Sequence, residues 1–293
     1  MTVYFPLYYK DFKCIAEKCR HSCCVGWEIL VDNDTLEKYE SLGREDILLN
    51  INGSEITLCE DGRCPFLCAD GLCRIISELG ESYTSQICRE HPRFYHRIGD
   101  RVEGGIGLSC EEACRIVLSS DSYCDFCAFA HSPEVAEETD FDSISHRNFI
   151  YSLLRDNGMS YDKTTKLIRE EYSLKTPIHT EEEWNEILGE LEYLDESHRK
   201  LLAFREGGGE HYEIYRRFLA YLVFRHVSVA DCYENLRARI GFCLLLAELF
   251  EGLTVREDMT FEEICDIARI ISEEIEYSED NTSSLIFEFE SAL

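Results

Sequence analysis

The sequence predicts a mostly α-helical protein built as a cysteine-rich α+β lobe with short strands, over residues 1–130, followed by an α-helical bundle lobe over residues 131–293. Three observations predict this. Thirteen of the sixteen cysteines fall between Cys14 and Cys127. Turn signals at Asn52-Gly53, Asp61-Gly62 and Gly99-Asp100 cut the same region into short elements. Beyond about residue 130, apolar residues recur at helical spacing behind Ser/Thr-x-x-Glu starts.

Taken in chain order, Glu28 to Val31 reads as a short strand, Asp32-Asn33-Asp34 as a turn and cap, and Thr35 to Leu42 as a helix ending near Gly43. Residues from Glu55 to Cys59 lie between two turn signals and predict a small hairpin or loop. Cys73 to Leu79 is helical in pattern. Arg93 to Gly107 predicts a second hairpin turning at Gly99-Asp100. Ser109 and Glu112 have the form of a capping box, opening a helix that places Cys110 and Cys114 on one face.

In the second lobe Phe149, Ile150, Leu153 and Leu154 mark one helix. Trp184, Ile187, Leu188, Leu191 and Leu194 mark another, behind a capping box at Thr180 and Glu183. Gly207 to Gly209 separate it from a helix over His211 to His226, whose aromatic residues read as core. The segment around Cys243 predicts a buried helix, and Thr260 with Glu263 caps one more.

The formal charge of −29 is uneven: residues 1–130 carry 13 Lys+Arg against 22 Asp+Glu, and residues 131–293 carry 16 against 36. A surface so acidic repels phosphate backbones, so nucleic acid is not an expected partner, whereas a lysine-bearing protein segment is attracted. The longest apolar run, near Gly241 to Phe250, is broken at Glu248, so no membrane span is expected. The opening residues MTVYFPLYYKDFKC lack the basic and apolar regions of a signal peptide, which leads to the expectation of a cytoplasmic setting with reduced thiols.

Reduced thiols at this density point to metal. The pattern runs C-x4-C-x3-C-C at Cys14, Cys19, Cys23 and Cys24, then Cys59, Cys64, Cys68, Cys73, Cys88, Cys110, Cys114, Cys124 and Cys127. Thiolates are soft ligands that select iron–sulfur clusters or zinc over magnesium or calcium. Zinc ordinarily takes paired C-x2-C knuckles, and only Cys124 with Cys127 has that form. Widely spaced ligands drawn from several loops favour a cluster, with zinc as the alternative metal and disulfides as a third account. Cys232, Cys243 and Cys265 sit in apolar helical contexts and read as small buried hydrophobes. Phosphate-binding, nucleophile-elbow and zinc-protease motifs are absent, as is the C-x3-C-x2-C triplet of radical enzymes, and Gly104-Gly105-Ile106-Gly107 is too weak for a dinucleotide fingerprint.

The runs FKCIAEKCRHSCCVGWEILVD, CPFL, GLCRIISELGESYTSQICREHPRF and LSCEEACRIVL resemble the flagellin lysine-N-methylase family, over about residues 9 to 118. The cysteine pattern is also similar to the broader zinc- or iron-chelating domain family. Phe218 to Val227, FLAYLVFRHV, adds a thinner likeness to a helical segment of the methylases. The resemblance implies methyl transfer from S-adenosylmethionine to lysines of a protein acceptor, flagellin being the family's own, with a cysteine-bound [4Fe-4S] cluster. Position by position it carries over Cys14, Cys19, Cys23, Cys24, Cys64, Cys73, Cys88 and Cys110, twice the four that one cluster needs. The chain departs from the family at Glu111, where proline is common. Cys59, Cys68, Cys114, Cys124 and Cys127 stand as extras.

Lysine methylation makes a physical demand. With a reference pKa of about 10.4, roughly one lysine in 2500 is neutral at pH 7, so deprotonation costs about 4.6 kcal/mol. Tyr83, Glu81 and His91 lie between the cysteine motifs as candidate catalytic groups, and Arg89, Arg93 and Arg97 as candidate carboxylate or cofactor contacts. The competing account is a non-enzymatic iron–sulfur or zinc protein, for redox or interaction, sharing only the cysteine framework.

Overall fold

Thr180 and Thr260 show how local sequence sets the helical part of the molecule. Each threonine accepts the backbone N–H of the glutamate three residues on, and that glutamate's carboxylate accepts the threonine's own N–H. Both capping boxes therefore close as the sequence predicts, fixing the starts of helices over Glu181–Glu190 and Phe261–Ile271. The structure, a computed structural model, describes residues 1–135, 137–175, 177–205, 207–209 and 211–293.

The chain is mostly α, as expected, and divides into two compact units. The smaller comprises residues 13–93 and 110–112; the larger comprises 1–12, 94–109 and 113–293. The compositional seam near residue 130 thus falls inside the larger unit, because strands on both sides of it pair in one sheet.

In the larger unit β1 (Thr2–Pro6), β4 (Arg93–Ile98), β5 (Arg101–Ile106), β6 (Phe126–Ala130) and β7 (Glu137–Thr139) form a mixed sheet in the order β6-β1-β5-β4-β7. The expected hairpin turns at Gly99, whose φ of 54° suits glycine. Gly104 serves packing: a Cβ there would lie 2.6 Å from the Phe5 ring. The helices are α5 (Glu111–Ser119), α6 (Ser143–Leu154), α7 (Tyr161–Glu171), α8 (Glu181–Glu190), α9 (His198–Leu201), α10 (Tyr212–His226), α11 (Tyr233–Leu253), α12 (Phe261–Ile271) and α13 (Glu279–Ala292). Tyr215, Phe218, Tyr221 and Phe224 of α10 are buried, as are Phe242, Cys243 and Leu246 of α11. The aromatic run is core from Tyr215 onward, as its pattern predicts, whereas Tyr212 in the first turn is exposed. Cys265 is buried too, but Cys232 is exposed: its sulfur caps α11 by accepting the N–H of Asn235 at 3.4 Å. Its position just before the helix, not its apolar neighbours, decides its burial.

The smaller unit contains α1 (Asn33–Ser41), α2 (Glu45–Leu48), a two-residue-arm hairpin of β2 (Ile51–Asn52) and β3 (Glu55–Ile56), α3 (Arg74–Leu79) and α4 (Gln86–Glu90). Ile29, Val31, Tyr39, Ile47, Ile56, Phe66 and Ile75 form its core. Residues 28–31 are not a regular strand. Val31 N–H bonds to Ser54 at 2.7 Å and Ile29 accepts from Ile56 at 2.9 Å, but the arms they meet are too short to extend a ladder. Asp32 caps α1 by accepting from Thr35 N–H at 3.0 Å, and its other oxygen takes the N–H of Gln86 at 2.7 Å. One carboxylate therefore ties the starts of α1 and α4 together.

Candidate metal centre

Among the described residues no cysteine is in a disulfide. Electrostatic interactions sort the eight family-matched thiols into two sets of four within the smaller unit. Cys19 and Cys23 each interact with Cys14 and Cys110. Cys64 interacts with Cys24, Cys73 and Cys88; Cys88 interacts with Cys24 and Cys73, and Cys73 with Cys24. Adjacent residues Cys23 and Cys24 belong to different sets and share a hydrogen bond, with Cys23 donating. That donation lowers Cys24 to about 7 and raises Cys23.

Backbone pairing assembles the second set. Cys64 N–H bonds to the Cys24 carbonyl at 2.8 Å, and Gly26 N–H to Gly62 at 2.9 Å, so two distant segments run side by side. A tight reversal follows: Cys68 N–H reaches Leu72 at 2.9 Å, Gly71 sits at φ 81°, and Arg74 N–H reaches Phe66 at 2.8 Å. Cys73 thereby lands beside Cys64, at the start of α3, where burial raises its thiol and the amides of Ile76 and Ile75 offset part of that rise. Such donors favour a thiolate. Burial opposes it and pushes Cys64 up to about 12. A buried thiol shifted this way gains most from a cation that replaces its proton.

Glu111 assembles the first set. Its carboxylate accepts Arg20 N–H at 2.8 Å, His21 N–H at 3.3 Å and Arg20 Nε at 3.0 Å, and lies 3.7 Å from Cys19 Sγ. The clasp holds the Cys19 loop against Cys110, the residue before it. Ser109 Oγ is buried without a hydrogen bond, so the expected Ser109–Glu112 box does not close. Cys114 does not join Cys110; it is buried and donates to the Leu108 carbonyl at 2.8 Å.

The spacing of the thiols bears on the metal. Among the described residues the one trio of ligand atoms within 4.8 Å of one another is His198, Glu273 and Glu274, so no three thiols approach so closely. A single zinc with Zn–S bonds of about 2.3 Å draws its four sulfurs to roughly 3.8 Å apart. A four-iron cluster carries each thiolate on a separate iron and accepts wider spacing. Four thiols in each group are the number that either one zinc or one four-iron cluster takes. The His198 trio is internally satisfied: Glu274 accepts from Leu194 N–H at 2.7 Å and pairs with His198 at 2.6 Å, while Glu273 pairs with Arg269.

Among the other sequence candidates, Tyr83 presents its carbonyl to the Tyr39 hydroxyl at 2.5 Å, and Glu81 is exposed. His91 is lowered to about 4 by burial and by Arg93, so it is neutral at pH 7. Arg89 donates to the Thr84 carbonyl and Arg93 to the Arg89 carbonyl at 3.3 Å. Arg97 belongs to the larger unit and faces Glu138 at 3.7 Å. Cys59 is exposed, Cys68 interacts with Cys73, Cys124 is buried, and Cys127 lies 3.6 Å from the Phe5 carbonyl.

Comparison with known proteins fits the cysteine framework. Over 132 residues, 41% of this chain, it is 31% identical to the flagellar biosynthetic protein FliU of Salmonella muenchen and covers 78% of that protein. The chain belongs to the lysine-N-methylase/FliU family. Lysine-N-methylases of Salmonella choleraesuis (strain SC-B67) and Salmonella typhimurium (strain LT2) are 32% identical over 132 residues. This family member matches about a third, 33%, of the length of those two enzymes. No family model matches the chain, and no solved structure does.

Proposed function

We infer that this chain is an S-adenosylmethionine-dependent protein lysine N-methyltransferase that carries a [4Fe-4S] cluster on Cys24, Cys64, Cys73 and Cys88. Cys14, Cys19, Cys23 and Cys110 hold a second thiolate-bound centre. The observation that carries this reading is the sorting of eight thiols into two fours, in a chain of the lysine-N-methylase family. The acceptor is a protein with exposed lysines, flagellin among the candidates, and the charge of −29 draws such a basic segment in. A bound cluster supplies electron transfer or an anionic anchor in that lobe. The chain's own residues set its surroundings: the Cys24–Cys64 backbone pairing brings two of the thiols side by side, and Glu111 fixes the loop of Cys19.

Among the described residues no helix is long and apolar enough to cross a membrane. A second reading, a metal-binding module without transferase activity, is favoured by the match to only 33% of the lysine-N-methylases. Incubating anaerobically purified protein with methyl-labelled S-adenosylmethionine and flagellin separates the two. Label on flagellin lysines is the expected result. An intact metal content with no transfer to flagellin or to other lysine-rich acceptors overturns the enzymatic reading.

A further inference from the structure

The larger unit contains a cavity of about 530 Å³ between α7, α8 and α11 that the cysteine framework does not touch. Its aromatic walls are Tyr161, Trp184 and Phe204, each at most 8% exposed. Two features mark it as a place for a ligand. The Tyr161 hydroxyl is buried and has the Glu251 carboxylate as its hydrogen-bond partner. Glu251 faces it from α11, near enough that each alters the other's acidity, and no cation lies within salt-bridge distance of this carboxylate among the described residues.

The cations that line the cavity are held by other carboxylates or lie exposed, which leaves Glu251 without a cation of its own among the described residues. On α7, Asp162 adds a second carboxylate, while Arg169 is engaged by Glu248 of α11 and Lys166 by Glu170 at 3.8 Å. On the opposite wall His179 is engaged by Glu288 at 2.7 Å. Arg205 also lines the cavity but is exposed. A ligand bringing its own carboxylate would meet repulsion here, whereas one bringing a single cation on an aliphatic stem would find carboxylate and aromatic faces together.

We propose that this cavity binds the alkylammonium side chain of a protein lysine, with Glu251 as its counter-ion and the Tyr161 hydroxyl orienting that carboxylate. The identity of the cation as a protein lysine rests on the methyltransferase reading; the binding itself does not. Burial, with repulsion from Glu248 and Asp162, raises Glu251 to about 7, against the pull of Tyr161 and Arg169. Ammonium binding therefore strengthens as pH rises and Glu251 ionises.

Isothermal titration of the full chain, without methyl donor, tests this with N-acetyl-lysine methylamide and its neutral counterpart N-acetyl-norleucine methylamide. The lysine compound binds and the norleucine compound does not; affinity at about pH 8 exceeds that at about pH 6 by roughly tenfold, following the ionised fraction of a group near pH 7. Glu251→Gln loses at least about tenfold in affinity at the higher pH, a loss of roughly 1.4 kcal/mol, with an unchanged circular dichroism spectrum. Equal binding of the two compounds, or no binding of either, overturns the proposal. So does binding by Glu251→Gln at wild-type strength, or Glu251-dependent binding of S-adenosylmethionine in place of the lysine compound. If Glu251→Gln does not fold, the lysine–norleucine comparison on the unaltered chain decides. Lysine binding without methyl transfer leaves this cavity standing and overturns only the enzymatic reading.

Discussion

Glu251 and Glu111 are the residues whose roles the sequence hides. Glu111 stands where proline is common in the family, yet it holds the Cys19 loop through Arg20 and His21, a contact across some ninety positions that no local pattern reports. Glu251 sits on an apolar helix where a lone acid reads as a solvated face. Its weakened acidity has a stability consequence with a definite sign. A carboxyl that binds its proton more tightly when folded costs nothing below the unfolded value near 4.3, and costs progressively more as pH rises toward about 7. Glu251→Gln is therefore expected to match the unaltered protein at about pH 4 and to exceed it by about 2 kcal/mol at about pH 8, read from urea unfolding at both pH values. Loss of stability at both would show that Glu251 is a structural group. Stabilisation joined to loss of cation binding is the pattern of a site held ready for a ligand.

At the scale of elements, helices were legible wherever a cap announced them. Asp32, Thr180 and Thr260 all cap the helices their positions predict. Thr260→Ala should cost about 1 kcal/mol, measured by thermal unfolding, because it leaves the N–H of Glu263 unpaired while the Glu263 carboxylate keeps only the backbone N–H of residue 260. An unchanged melting temperature would mean that packing of Ile264 and Ala268 alone fixes that helix. Elements defined by distant partners were less legible. Residues 28–31 have strand composition, but the chain that pairs with them is only two residues long on each side of its turn. The Ser109 box failed for a related reason: the start of α5 is fixed by Arg20 and His21 from elsewhere in the chain. Cys232 looked apolar by its neighbours and is instead an exposed cap.

For the whole molecule, composition located the cysteine-rich region but not its limits. Residues 94–109 carry hairpin signals and residues 113–130 carry cysteines, like the segments before them, yet they pack with the larger unit, because β5 and β6 both pair with β1. The family resemblance supplied the eight thiols, and the fold supplied their division, which linear order obscures: Cys23 and Cys24 are neighbours that part, while Cys14 and Cys110 are distant residues that meet in one set. Two sets with separate scaffolds, the Glu111 clasp for one and the Cys24–Cys64 pairing for the other, should fill and empty independently. Iron, zinc and acid-labile sulfide, with the visible absorption spectrum, measured on anaerobically purified protein and on Cys64→Ser and Cys19→Ser, test that division most directly. The account predicts that Cys64→Ser loses about four irons per chain and the cluster absorption while retaining the other centre, and that Cys19→Ser does the reverse. Loss of all metal from either folded variant, or full retention by both, would contradict it.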